Sequence, residues 1–125
     1  MSYGGDYIYT ILSNDTAVTA ITTAIYNARM VPATEESTET INFYRSAPFD
    51  AAMTYFDTVW SIDCRAKSEY TAYDLADTVK DALNRKSSAV GGYIYFGTIS
   101  ILPAIPPADD ADVYNVPVEI NLRRK

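Results

Sequence analysis

Histidine is absent from this 125-residue chain, and cysteine occurs only once. Without histidine, the commonest general base and metal ligand are missing, and neither a Ser-His nor a Cys-His nucleophile pair can form. A single cysteine excludes an internal disulfide, and with it a secreted disulfide scaffold. Glycine occurs five times but never in a phosphate-binding motif. Because these absences remove the usual catalytic equipment, we expect neither an enzyme nor a bound cofactor.

Long apolar runs and an excess of basic charge are also lacking. No run approaches the ~20 apolar residues of a transmembrane helix, and the N-terminus does not have the pattern of a signal peptide. The sequence therefore predicts no membrane partner and a protein that is made and kept in a cytoplasm. Ten basic residues face 16 acidic ones, for a net charge of −6. Such a chain is poorly suited to wrapping nucleic acid, because phosphates are neutralised by Lys and Arg.

What is present is the composition of one folded domain spanning residues 1–125. Apolar residues make up 48% of the chain and charged residues 21%, as in ordinary globular proteins. Tyrosine occurs 11 times, and this residue favours strands and partner surfaces, where one end is buried and the other meets water. The composition therefore favours a sheet-rich protein with an interaction surface.

Hydrophobic periodicity predicts an α+β fold. Asp6 is predicted to cap a short first helix, and Asp15 a second helix whose apolar face runs to Ile25. Ser68 is predicted to cap the main helix, which carries an apolar stripe up to Leu83. Strands are predicted at 26–31, 41–45, 55–66, 93–102 and 113–122. We expect an antiparallel sheet of four to five strands with the helices packed on one face.

Two details of the predicted strands bear on function. Residues 55–66 alternate between apolar and polar, which indicates a half-buried strand, and Cys64 on its apolar side is expected to be a buried, inert thiol. Pro117 lies within the last predicted strand. Because proline cannot donate to a ladder of hydrogen bonds, it predicts an edge position for that strand.

Carboxylate chemistry has little support in the sequence. Asp57 and Asp63 share a strand face, but ~20 Å separates them at ~3.3 Å per residue, too far for a glycosidase acid and base. The acidic residues at 109, 110 and 112 are close enough in the chain to hold a hard cation. They lack the glycine and the later glutamate of a calcium loop. We therefore expect no metal site, and a solvated acidic loop instead.

Two acidic loops, 33–40 and 103–112, and the basic C-terminus are the candidate interface segments. Long loops in a compact domain tend to be functional, whereas three charges at a chain end are also compatible with simple solvation. The candidate interface residues are Glu35, Glu36 and Glu39 in the first loop, Ile105, Asp109, Asp110 and Asp112 in the second, and Arg123, Arg124 and Lys125 at the C-terminus.

The order of motifs resembles a known family. The segment 12–21, followed by Ile25, Tyr26 and Pro32, resembles the start of the tail completion, or tail terminator, proteins of tailed bacteriophages. The stretch 58–68 is similar to the long strand of that family. A helix with the family's apolar spacing and a closing hairpin follow. The helix positions concerned are Ala72, Leu75, Ala76, Val79 and Leu83.

The resemblance implies a small α+β subunit of a hexameric ring. Such a ring caps the tail tube, stops its polymerisation and presents a surface to the head connector, while DNA passes through its centre without sequence-specific binding. The implied partners are further copies of the chain, the tail tube protein and the connector or stopper protein. The implied location is the head-proximal end of the virion tail, after assembly in the bacterial cytoplasm. The resemblance carries over no active-site residue.

Two other functions stay open at this stage. The first is another neck component of the same particle, such as a head-completion (stopper) protein, which shares the size and fold class. The second is a stand-alone small-ligand-binding α+β module. That function predicts a closed apolar pocket with a few convergent polar groups.

Overall fold

The computed structural model describes residues 4–27, 39–45, 57–90, 92–105 and 113–124. Within these ranges, no helix is both long enough and apolar enough to cross a membrane. The elements in chain order are α1 (Gly5–Asn14), α2 (Thr16–Ile21), β1 (Ile25–Asn27), β2 (Thr40–Arg45), β3 (Asp57–Ala66), α3 (Glu69–Leu83), β4 (Ser87–Val90), β5 (Tyr93–Ile101) and β6 (Tyr114–Arg124).

The strands form one mixed sheet in the order β1-β2-β3-β6-β5-β4. The α+β class is confirmed, but the predicted count of four to five strands is wrong, because the described residues already form a sheet of six strands. The missed strand is β4, whose four residues Ser-Ser-Ala-Val are too few and too polar to show alternation. The purely antiparallel arrangement is also corrected, since β1 pairs with β2 in parallel.

The core lies between one face of the sheet and the helices, and α3 packs across β3, β5 and β6. Alternate residues of the two central strands point into it, as the period-two pattern predicts. The fully or nearly buried ones are Trp60, Ile62, Cys64 and Ala66 in β3, and Val116, Val118, Ile120 and Leu122 in β6. From α1, Tyr7 stacks on Tyr95 with ring centroids 4.8 Å apart. This packing fixes the sheet and leaves its opposite, outer face to carry polar side chains.

Two of the three predicted helix caps are confirmed. The Ser68 hydroxyl accepts a hydrogen bond from the Thr71 N–H at 3.0 Å, and the Asp15 carboxylate accepts from two N–H groups of α2. The cap at Asp6 is wrong. Gly4 is the N-cap of α1, and Asp6 lies in the first turn, where its carboxylate accepts from the Tyr7 N–H at 2.9 Å.

The second helix is shorter than its apolar spacing predicts. It ends at Ile21, and Ile25 lies in β1. Thr22 ends the helix in an extended conformation, and its hydroxyl donates to the Glu39 carbonyl at 2.6 Å. This long-range bond ties the end of α2 to the start of β2, so tertiary contact overrides the local helical pattern here.

Pro117 does not mark an edge strand, because β6 lies between β3 and β5. The hydrogen bonding between β6 and its neighbours tolerates the proline because its nitrogen points toward a position that needs no donor. The Pro117 carbonyl accepts from the Leu102 N–H at 2.9 Å, which places the proline nitrogen on the same side, toward β5. β5 ends at Ile101, so the missing donor falls just past the end of that pairing.

Candidate interaction surfaces

The outer face of the sheet carries a buried polar cluster that strand alternation alone assigns to solvent. Asp63 is only 6% exposed. Burial raises the pKa of its carboxyl group, and this effect outweighs the opposing hydrogen bonds from Asn115 and Tyr44 and the charge of Arg65. The Arg65 guanidinium lies 4.0 Å from the Asp63 carboxylate. The cluster thus holds a carboxyl group that is disfavoured in its ionised form.

Three more oxygen atoms in this region are buried without a hydrogen-bond partner. They are Thr40 Oγ1 and Asn42 Oδ1 on β2 and Asn115 Oδ1 on β6. Both strands pair directly with β3, which carries Asp63. An unpaired buried polar group costs ~1–3 kcal/mol. The described residues contain no group of three or more His, Cys, Asp or Glu arranged to hold a metal ion.

Cys64 is fully buried, as expected from its place on the apolar side of the strand. Burial raises the pKa of its thiol, and the neighbouring Asp63 charge raises it further. Because the thiolate is the nucleophilic form, this cysteine is held in its unreactive state.

Arg123 and Arg124 are part of the sheet, which corrects their expected place in a free basic tail. β6 continues to Arg124. Within it, Arg123 pairs with Phe96 of β5 on one side and with Asp57 of β3 on the other. The basic pair is therefore positioned by main-chain hydrogen bonding at one end of the central strands.

A second basic pair, Arg85 and Lys86, reaches the same end of the sheet. The Arg85 N–H donates to the Gly97 carbonyl at 2.7 Å, and Arg85 adopts a positive φ of 56°. Lys86 immediately precedes Ser87, the residue paired with Phe96. We call Arg85, Lys86, Arg123 and Arg124 the basic end. The sequence analysis did not predict that these four residues lie close together, because their proximity depends on β4, which was not predicted.

An open groove lies beside the basic end on the sheet. Its volume is about 430 Å³, and its lining includes Val59, Phe96 and Leu122 together with Thr98 and Arg123. Phe96 is 41% exposed. The groove is open and lies against the sheet, so it does not match the closed apolar pocket that a ligand-binding module predicts.

Two other candidate interface residues, Glu39 and Ile105, lie at the opposite end of the sheet. Glu39 adjoins Thr40, which pairs with Arg65 at the far end of β3. Ile105 is 52% exposed and exchanges two hydrogen bonds with Asn115, at 2.7 and 3.2 Å. Since β3 has ten residues of ~3.3 Å each, ~25–30 Å separates the two ends.

Ile105 is therefore anchored to β6 by main-chain hydrogen bonds, which corrects its placement in a free loop. The Ala104 N–H donates to the Tyr73 hydroxyl at 2.9 Å, so α3 also supports this segment. The remaining predicted interface residues lie outside the described residues. They are Glu35, Glu36, Asp109, Asp110, Asp112 and Lys125.

Comparison with protein-family models gives no match, and no curated protein matches the chain. Among solved structures, the chain is similar to a chain of the "Virion of native gene transfer agent (GTA) particle". The TM-score is 0.65 at 20% sequence identity, and the match covers 94% of this chain and 90% of that chain. At this identity, the likeness shows a shared fold.

Proposed function

We propose that this chain is a structural virion protein, a tail terminator (tail completion) protein that forms a hexameric ring on the end of the tail tube. The observation that carries the proposal is the fold shared with a virion chain over 94% of this chain and 90% of the other. The order of sequence motifs, which resembles the tail terminator family, supports the finer assignment.

The distribution of candidate interface residues fits a ring subunit. A subunit between a tube and a head connector needs separate surfaces for its neighbours in the ring and for its axial partners. The chain carries candidates at both ends of the sheet, with exposed Arg85, Lys86 and Arg123 at one end and exposed Ile105 beside half-buried Glu39 at the other. We propose that one end contacts the tube or connector and that the other contributes to the ring.

The charge of the chain fits a channel through which DNA moves. Six copies carry a formal charge of −36, six times the −6 of one chain. Wherever part of this charge faces the lumen, it repels the phosphate backbone instead of retaining it. DNA therefore passes without a binding site of its own.

The test is to remove the gene from the phage genome and to examine the tails. We expect tails of uncontrolled length that do not join heads, and normal particles when the intact chain is supplied in trans. Tails of normal length that join heads in the absence of the chain would overturn the proposal.

The loop after Ile105 is tested in the same assay. Deleting 106–111 leaves the hydrogen bonds of Ala104 and Ile105 in place, so we expect the variant to keep its thermal stability but to fail in complementation. If the deletion lowered thermal stability as well as tail capping, the segment would be needed only for folding. Full complementation would exclude an interface role for Asp109 and Asp110.

A head-completion (stopper) protein is the second candidate, because the shared virion fold supports it equally. The two differ in the intermediate that accumulates in the deletion strain. Loss of a terminator gives overlong tails, whereas loss of a stopper gives normal tails and filled heads that leak DNA.

A further inference from the structure

The basic end is a concentration of positive charge in a chain whose net charge is −6. Arg123 and Arg124 lie on β6, and Arg85 and Lys86 lie in the turn that leads to β4. Lys86 adjoins the residue paired with Phe96, which in turn pairs with Arg123. With neighbouring strands ~4.8 Å apart, the backbones of these residues lie within ~10–15 Å. Arg85 and Lys86 are exposed and form no ion pair with a described side chain.

A surface of opposite charge runs along α3. Tyr70, Asp74, Asp77 and Asp81 follow each other at spacings of four, three and four residues, which places them on one side of the helix. All four are exposed, and Tyr70 is 82% exposed, an unusual state for a large aromatic side chain. We call these four residues the α3 stripe. Like charges three and four residues apart destabilise a helix, so a cationic partner relieves a cost already present in the free chain.

The N-terminal part of the stripe, Tyr70 and Asp74, cannot reach the basic end of the same copy, although Asp81 lies close to it in the chain. Tyr70 lies near the start of α3, and Arg85 follows its end. At 1.5 Å per residue, the 13 helical steps from Tyr70 to Leu83 already span ~20 Å. Any pairing of Tyr70 and Asp74 with the basic end therefore takes place between two molecules.

We infer that the basic end and its groove bind the α3 stripe of a second copy of this chain, with Tyr70 seated in the groove beside Phe96 and Arg123. An aromatic side chain between an aromatic ring and a guanidinium has favourable stacking and cation–π geometry. This contact deepens the proposed function, because it names the surfaces through which ring subunits join.

The spacings on the two surfaces agree. Along the stripe, Asp74 lies ~6 Å and Asp77 ~10 Å from Tyr70. Across the sheet, Lys86 lies one strand, ~5 Å, from the row of Phe96, and Arg85 is one residue further along the chain. With Tyr70 against Phe96, the two carboxylates therefore come within reach of the two cations.

A second copy is the occupant favoured by the charges and by symmetry. The contact joins two different surfaces of the same chain, so it is head-to-tail and leaves each copy able to bind a further one. Repetition of such a contact closes a ring when the rotation permits. Tyr and Arg at its centre match the composition of interface cores.

Disulfide trapping tests the contact. The pair is Tyr70→Cys in one chain and Thr98→Cys, in the groove lining, in the other. Cys64 stays in place, because it is fully buried. Under mild oxidation, we expect the mixture to give a covalent heterodimer well above the level given by either variant alone. The matched control replaces Tyr70→Cys by Tyr9→Cys, at another exposed tyrosine (48% exposed), and should give at least tenfold less.

Charge variants test the ion pairs in the same assay. R85Q/K86Q in the Thr98→Cys chain, or D74N/D77N in the Tyr70→Cys chain, should each reduce trapping several-fold, and more strongly at low than at high salt. Glu119→Lys changes the charge by the same +2 as D74N/D77N but lies off the stripe, and should leave trapping unchanged. Melting temperatures identify any variant that is misfolded.

Two results would overturn the inference. The first is equal trapping at positions 70 and 9. The second is binding of duplex DNA that is lost in R85Q/K86Q, without selective trapping at position 70, which would assign the basic end to phosphate contacts. The outcome is independent of the tail assay. Trapping in a chain that plays no part in tails would refute the proposed function alone, and a ring built through other surfaces would refute this contact alone.

Discussion

Asp63 lies on the outer side of its strand, yet it is almost completely buried, and burial raises the pKa of its carboxyl group. Its neighbours Asn115, Tyr44 and Arg65 only partly offset the desolvation. A raised pKa means that the folded state holds the proton more strongly than the unfolded chain. The ionised carboxylate therefore destabilises the fold at neutral pH.

Asp63→Asn should be neutral or stabilising at pH 7. The wild-type chain has the full benefit of protonated Asp63 below the unfolded pKa of 3.8, and it loses that benefit as the pH rises through the higher folded pKa. The free energy of unfolding of Asp63→Asn relative to wild type should thus increase between pH 4 and pH 7. Denaturant titrations at both pH values measure it, and a relative decrease would show that the pairing with Arg65 dominates.

Cys64 should react with a thiol reagent only after unfolding. Its side chain is fully buried, and both burial and the Asp63 charge keep the thiol protonated. We expect no labelling of the native protein over hours at pH 8 and complete labelling in denaturant. Rapid labelling of the native protein, followed by mass spectrometry, would show that the β3 region opens readily.

Whether a side chain is buried was predictable from the sequence where the structure follows strand alternation, as at Cys64. It was not predictable at Asp63, Thr40 or Asn115. These residues lie on three neighbouring strands, and no pattern within one strand indicates their burial.

At the scale of elements, the packing of β5 beside β6 depends on the absence of a side chain at Gly97. A Cβ atom at this position would lie 2.6 Å from Ile120 Cδ1 and 3.0 Å from Ile120 Cγ1. The glycine therefore provides space for a core side chain on the neighbouring strand, rather than an unusual backbone conformation. The same residue accepts the hydrogen bond that orders the Arg85 turn.

Gly97→Ala should destabilise the fold by ~1–3 kcal/mol through overpacking. Ile120→Val removes the nearest atom and should itself cost ~0.5–1.5 kcal/mol. In combination, the two changes should cost less than their sum by at least ~0.5 kcal/mol. A double-mutant cycle from denaturant titrations measures the coupling, and strict additivity would contradict the steric account.

Ser68→Ala should destabilise α3 by ~1 kcal/mol, because the hydroxyl accepts from the Thr71 N–H. Ser68→Asp supplies another capping oxygen and serves as the matched control, with an expected change near zero. Thermal unfolding of both variants distinguishes the cap from a general effect of the substitution. Equal losses in the two variants would exclude capping as the cause.

The main elements were predictable because their signals are long. α3 begins at the predicted cap, and β3 keeps the predicted alternation. A strand was predicted at 26–31 and overlaps β1, but the short element β4, the parallel pairing of β1 with β2 and the central position of β6 were not predictable. They depend on long-range pairing, such as the bond from Thr22 to Glu39, and on the end of β5 beside Pro117.

At the scale of the whole molecule, the chain has two distinct ends and an acidic side. The basic end lies where β4, β5 and β6 come together, and Ile105 and Glu39 lie ~25–30 Å away at the other end of the sheet. The α3 stripe gives a third surface of opposite charge. The sequence alone indicated the acidic loops and the C-terminal charges, but only the fold shows that Arg85 and Lys86 join Arg123 and Arg124.

An electron cryomicroscopy map of the native particle that carries this protein tests the central claim most directly. The account predicts a six-fold ring of this chain between the end of the tail tube and the head connector, with neighbouring subunits joined head-to-tail. Density for the chain elsewhere in the particle, or none at all, would contradict the tail terminator assignment.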